Sequence, residues 1–194
     1  MNVKDALEAR RAYRALAPVE ITDELVKELG TAAQLMPSCF NNQPWKFVFV
    51  RSKEALAGVH AALSAHNDWV KKASLIIAAF ARKENDCVVK EREYYLFDLG
   101  QAVAAIQLRA AELGLVAHPI AGFDNEKVRL ALGIPEGNTV LTIVNVGKKS
   151  ADLEGLTPPQ AAQETGPRPA RLPLENILSV DVYDEKLAVR PARK

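Results

Sequence analysis

The stretch that decides the fold is Pro37-Ser38-Cys39-Phe40-Asn41-Asn42-Gln43-Pro44-Trp45-Lys46-Phe47-Val48-Phe49-Val50. Two prolines bracket a run of short, uncharged polar side chains, and proline disfavours helix at its own position and the one before. Lys46–Val50 then reads as an apolar strand. Two readings of the loop stand side by side. Its Asn and Ser side chains can satisfy their own backbone, as turn residues do. An uncharged polar loop held by prolines also suits a flat ligand with amide-like edges. Trp45 reads as core packing.

Outward from this loop the chain alternates helices and strands. Asn2–Ala12 reads as a short helix that runs into Arg10-Arg11-Ala12-Tyr13-Arg14. Basic residues at a helix C-terminus favour the macrodipole. Clustered guanidiniums equally make an anion clamp. Thr22 is the expected N-cap of a helix reaching Met36, with Leu25, Leu29, Ala32, Ala33 and Met36 on one face. Glu54–Ala65 follows as another helix. Ala73–Ala81 is apolar on both faces and reads as a central strand covered from both sides.

Cys87–Leu115 carries the longest helical pattern. Leu96, Leu99, Val103, Ile106, Ala110 and Leu113 recur at spacings of three and four, and no charge occurs from Leu99 to Leu108. A helix apolar all round must be covered all round. The core and a subunit interface together are the expected cover. Gly114 ends this helix, Val116–Phe123 reads as a strand, Asp124 caps a helix to Leu132, and Thr139–Val146 is a further strand. Lys149–Pro173 is rich in Pro, Ala and Gly without a period, so it is expected as an extended arm, with a short element over Glu175–Val182.

Composition narrows the function. The chain has 194 residues with 25 basic and 24 acidic side chains, so no general affinity for nucleic acid or anionic membrane is indicated. No apolar run reaches the roughly 20 residues that span a bilayer. The start, Met1-Asn2-Val3-Lys4-Asp5, lacks a signal-peptide core. Cys39 and Cys87 have no close metal-ligand spacing and are expected as free thiols in a reducing cytoplasm. His60, His66 and His118 show no ligand grouping, and His118 is expected to be structural. No triad, P-loop or dinucleotide fingerprint is legible, which leaves a cofactor to supply reactivity.

Taken together, Arg10-Arg11-x-x-Arg14, Pro37-Ser38-x-x-Asn41-x-Gln43-Pro44-Trp45-x-Phe47, Gly114-Leu115, Pro119-Ile120-x-Gly122-Phe123-Asp124 and Leu132-Gly133-Ile134-Pro135 resemble the nitroreductase family of flavin enzymes, in order, over roughly residues 5–180. The resemblance implies an α+β fold, a central, mostly antiparallel sheet flanked by helices. It implies a core over residues 1–147 and a C-terminal arm over 148–194 that extends onto a partner subunit. It also implies a cytoplasmic homodimer with FMN at the interface, Cys87–Leu113 being its central helix.

Carried over by position, Arg10, Arg11 and Arg14 would hold the FMN phosphate and pyrimidine edge. Ala12 stands where the family often has Ser. Pro37, Ser38, Cys39 and Asn41 would line the ring and ribityl from the other subunit, with Cys39 at a position where Ser is usual. Asn67 lies near a family Asn that contacts the ring or nicotinamide. Pro119, Ile120, Ala121 and Gly122 would pass over the ring, and the Ala121 or Gly122 N–H would point towards N5. Arg171, with Arg168 as a second, would reach the phosphate. Phe40 is the candidate for stacking on an aromatic substrate, with a buried loop anchor as its other reading. The implied reaction is ping-pong: NADH or NADPH reduces FMN, and a nitroaromatic, quinone or similar acceptor reoxidises it. No catalytic side chain and no metal are implied. A specialised family branch or a flavin-binding protein without turnover would share these residues.

Overall fold

A computed structural model describes residues 1–188. The final stretch of the expected arm, residues 189–194, lies outside them. The strands in chain order are β1 (Leu16–Ala17), β2 (Lys46–Val50), β3 (Leu75–Ala81), β4 (Val88–Val89), β5 (Arg92–Glu93), β6 (Val116–Ile120) and β7 (Thr139–Lys149). The helices are α1 (Val3–Ala9), α2 (Asp23–Gln34), α3 (Lys53–His60), α4 (Tyr94–Glu112), α5 (Asn125–Ala131) and α6 (Pro158–Thr165).

The sheet is built around β7. One edge pairs with β3, which pairs in turn with β2. The other edge carries β6 and β1 end to end, with Pro119 opposite Val144 and Leu16 opposite Lys149. Every pairing is antiparallel. The expected α+β class with an antiparallel sheet is what forms.

β3 is buried along its whole length. Its alternate side chains serve two cores, because successive residues of a strand point to opposite faces. Ile76, Ala78 and Phe80 join Val59 of α3 and Val128 of α5 on one face. Leu75, Ile77 and Ala79 join Leu29 of α2 and Leu99, Val103 and Ile106 of α4 on the other. Trp45 is buried in this second core.

The caps follow their local chemistry. Thr22 and Asp124 each accept the N–H three residues on, and Gly114 takes φ 71° behind α4.

The structure corrects several expectations. The basic stretch does not continue the first helix. α1 stops at Ala9 with Arg10 as its extended C-cap, so Arg11 and Arg14 lie beyond the helix end. The long helix starts at Tyr94, not Cys87. The residues before it form a two-stranded hairpin turned at Lys90, which takes φ 59°. One expectation needs no correction: α4 is expected to be covered by core and interface together, and within this chain Phe97 is 62% exposed. The supposed arm is folded over part of its length. Thr157-Pro158-Pro159-Gln160 forms a capping box with proline in the first turn and starts α6. Finally, Cys39 and Cys87 are joined in a disulfide, not free.

Candidate functional site

The extended run after α1 is pinned by residues about 150 positions away. Glu164 of α6 is buried, and its carboxylate accepts the N–H groups of Arg14 (2.9 Å) and Ala15 (3.2 Å). Arg168 donates to the carbonyls of Glu8 and Arg10, both at 2.6 Å. Residues 163–171 of this chain therefore wall its own arginine stretch. Together they enclose a cavity of about 150 Å³ that brings Arg10, Arg11, Ala12, Arg14, Arg168 and Arg171 to one place. Arg11 donates to the carbonyls of Gln163, Gly166 and Pro167, and Arg14 to the Gln163 side chain. Arg11 also stacks over Tyr13 at 4.8 Å.

Among the described residues, none of these arginines is in an ion pair. Burial lowers the Arg10 pKa, and the neighbouring Arg168 and Arg171 charges lower it further. The cavity is thus concave and rich in positive charge that no ion pair among the described residues offsets.

β6 lies beside the cradle. His118 Nδ1 meets the Tyr13 carbonyl at 3.0 Å, and the ring stacks on Trp69 with centroids 4.8 Å apart. Burial pushes the His118 pKa down to about 4; Arg14 and Arg10 add to this, against the Tyr13 hydrogen bond. The ring is thus neutral near pH 7, and the Tyr13 contact requires the proton on Nδ1. His118 is structural, as expected.

After β6, Asn67 donates through Nδ2 to the Gly122 carbonyl at 2.9 Å, and Ser64 N–H donates to the same oxygen. A Cβ on residue 122 would sit 2.2 Å from the Asn67 amide nitrogen, so this approach requires glycine. Asn67 thereby holds the Pro119–Gly122 segment from one side, while Ala121 is exposed on the other.

The polar loop makes a second, separate pocket of about 400 Å³, where Pro37, Ser38, Cys39 and Phe40 meet Tyr94 and Phe97. Much of its polarity is spent locally. Ser38 Oγ accepts Gln43 N–H at 2.9 Å, and the Gln43 amide donates to Asn41. Phe40, Asn41 and Gln43 have φ of 47°, 58° and 49°. Non-glycine residues in this region cost of order 1–3 kcal/mol each and persist only where surroundings fix them. Here Asp98, 1% exposed, accepts Cys39 N–H at 2.8 Å, and the disulfide clamps the same residue. Phe40 is 85% exposed, which rules out the buried-anchor reading within this chain. The loop pocket and the arginine cradle share no lining residue.

Sequence reasoning missed Gln163, Glu164, Asp86 and Asp98. The Thr157-x-x-Gln160 signature with its prolines was a readable sign of α6. No local signal pairs Cys39 with Cys87.

Fold and site together define the class: an α+β protein with an antiparallel sheet and an arginine-lined cavity beside a glycine-bearing loop. Comparison with known proteins is specific about the family. The Nitroreductase family profile matches residues 7–85 and 59–148. A protein of Archaeoglobus fulgidus, whose name joins NADH dehydrogenase and NAD(P)H nitroreductase, is 31% identical over 144 residues, covering 71% of this chain and 80% of its own. The NADH dehydrogenase of Thermus thermophilus is 26% identical over 211 residues, covering 92% and 95%. A crystal structure described as an oxidoreductase containing FMN superposes with a TM-score of 0.80 at 25% identity, covering 95% of this chain and 94% of that one. The chain belongs to the nitroreductase family.

Proposed function

We propose that this chain is an FMN-dependent NAD(P)H oxidoreductase. The observation that carries the reading is the cradle of Arg10, Arg11, Arg14, Arg168 and Arg171, with no anion of its own, in a chain of this family. A phosphate monoester dianion fits it: guanidinium forks match phosphate oxygens, and the like-charge crowding around Arg10 is relieved when an anion enters. Ala12 has no side-chain donor, so only backbone can contribute there.

From the cradle, the ring would extend along Pro119–Gly122, where the Ala121 or Gly122 N–H would face N5 and Asn67 fixes the segment. Bound FMN would supply hydride transfer from NADH or NADPH and, in a second half-reaction at the same face, reduction of a nitroaromatic, quinone or similar acceptor. The chain's own part is binding and electrostatics. Its guanidiniums sit where negative charge collects, which favours the reduced, anionic form of the ligand. No side-chain acid is required for the hydride step.

The missing wall is Pro37, Ser38, Cys39 and Asn41. In one chain that loop stands apart from the cradle, so a second copy must bring it. The exposed Phe97 of α4, Leu35 at the end of α2 and Phe40 support a homodimer, as do exposed Leu174, Ile177, Val182 and Tyr183 in residues that would reach the partner. Phe40 would then stand at the open face, placed to stack on an aromatic acceptor. Among the described residues no helix is long and apolar enough to cross a membrane, and a cytoplasmic enzyme is the reading proposed.

Binding of FMN and riboflavin by the flavin-free chain tests this. The cradle predicts FMN tighter by at least about 100-fold, which two charge-assisted hydrogen bonds at the low end of roughly 1.5–3 kcal/mol each already reach, and a preference that inorganic phosphate erodes. Equal affinity for the two would remove the cradle from the site.

A further inference from the structure

We propose that Cys39 and Cys87 form a disulfide that exchanges with small thiols and sets the order of the 37–44 loop. Its meaning for ligand binding rests on the flavin reading above; the thiol chemistry stands without it.

The geometry supplies each part. Both cysteines are half-buried, so a small thiol can reach them. The two sulfurs and a carboxylate oxygen of Asp86 lie within 4.8 Å of one another. Asp86 Oδ1 accepts from Cys87 N–H at 2.8 Å and from the Asn42 amide at 3.2 Å. Its Oδ2 is buried without a partner. Asp98 accepts the Cys39 N–H at 2.8 Å, so a carboxylate holds the backbone of each cysteine.

The bond closes between the strained loop and the hairpin ahead of α4, a link no other covalent contact makes. In a reducing compartment a disulfide is the exception, and those that form are catalytic or redox-sensing. Opening follows ordinary exchange. A small-molecule thiolate attacks one sulfur, the S–S bond breaks, and the released cysteine thiolate takes a proton from solvent. A second small thiolate attacks the small-molecule sulfur of the mixed disulfide and releases the other cysteine thiolate, which solvent protonates in turn. Two small thiols are oxidised to their disulfide as the protein gains two thiols, and the two protons the small thiols gave up balance the two taken.

The test uses the purified full chain, without added flavin, equilibrated in buffers of graded reduced and oxidised glutathione. Alkylation followed by intact mass counts the thiols, and amide exchange reads residues 38–44. The proposal predicts a native chain passing from no alkylated cysteine to two within the glutathione range. It predicts exchange in the loop faster by about tenfold or more once the bond is open. A bond that opens only after denaturation overturns it, as do thiols that never pair or a loop that exchanges alike in both forms. FMN uptake by the oxidised chain is scored separately, and its failure would overturn the flavin reading alone.

Discussion

Arg10 is held where its charge is a cost until an anion arrives. Burial and the facing Arg168 and Arg171 all disfavour its charged form, and no ion pair among the described residues relieves it. Arg10→Gln is therefore expected to move two quantities in opposite directions. Thermal stability of the flavin-free chain holds or rises, while FMN affinity falls about 10- to 100-fold, the value of one charge-assisted contact. Calorimetry on the apo chain and fluorescence titration check the pair. His118 carries a second prediction. Its pKa is about 4 in the fold against an ordinary 6.5. As pH falls through 6.5 the unfolded chain takes up a proton that the native ring refuses until about pH 4, so stability is whole above 6.5 and is lost on acidification. The gap is worth roughly 3 kcal/mol. Urea unfolding at pH 7 and pH 4.5 should show that loss in the wild type and a smaller one in His118→Gln.

At the scale of elements, α6 makes the cradle. Glu164 satisfies two backbone N–H groups at the turn into β1, which sets where Arg14 projects. Glu164→Gln replaces a carboxylate oxygen with an amide donor, leaving a buried N–H facing another donor. The expected cost is roughly 1–3 kcal/mol in urea unfolding, with FMN affinity falling although no proposed ligand contact is removed. Elements with local signatures were legible in sequence. β3 announces itself as a doubly apolar run, and α2 and α5 by their Thr22 and Asp124 caps. The pattern places α4 seven residues early because Cys87–Glu93 contains neither Gly nor Pro to mark a boundary, while its real pairing is the hairpin. The arginines of the site could be read by family likeness. Their anchors, Gln163 and Glu164, could not, because contacts across about 150 residues leave no trace in local pattern. The disulfide is equally non-local, joining positions 48 residues apart.

At the scale of the molecule, one chain holds two separate regions that the proposed function joins into one site. The cradle and Gly122 segment lie in one place, and the 37–44 loop in another beside exposed Phe97. A dimer that joins them predicts that Phe97→Glu raises the dimer dissociation constant about 30-fold or more, the scale of a buried aromatic anchor, and releases flavin with it. Sedimentation with detection at protein and flavin wavelengths reads both at once. On the proposed function, the cradle holds a flavin that NAD(P)H reduces. The most direct measurement is the visible spectrum of the purified protein under nitrogen, before and after NADH or NADPH. Flavin bands that bleach with one nucleotide are the predicted result and name the donor. A protein that is colourless and takes up no added FMN, or whose flavin bands persist with both nucleotides, would contradict it.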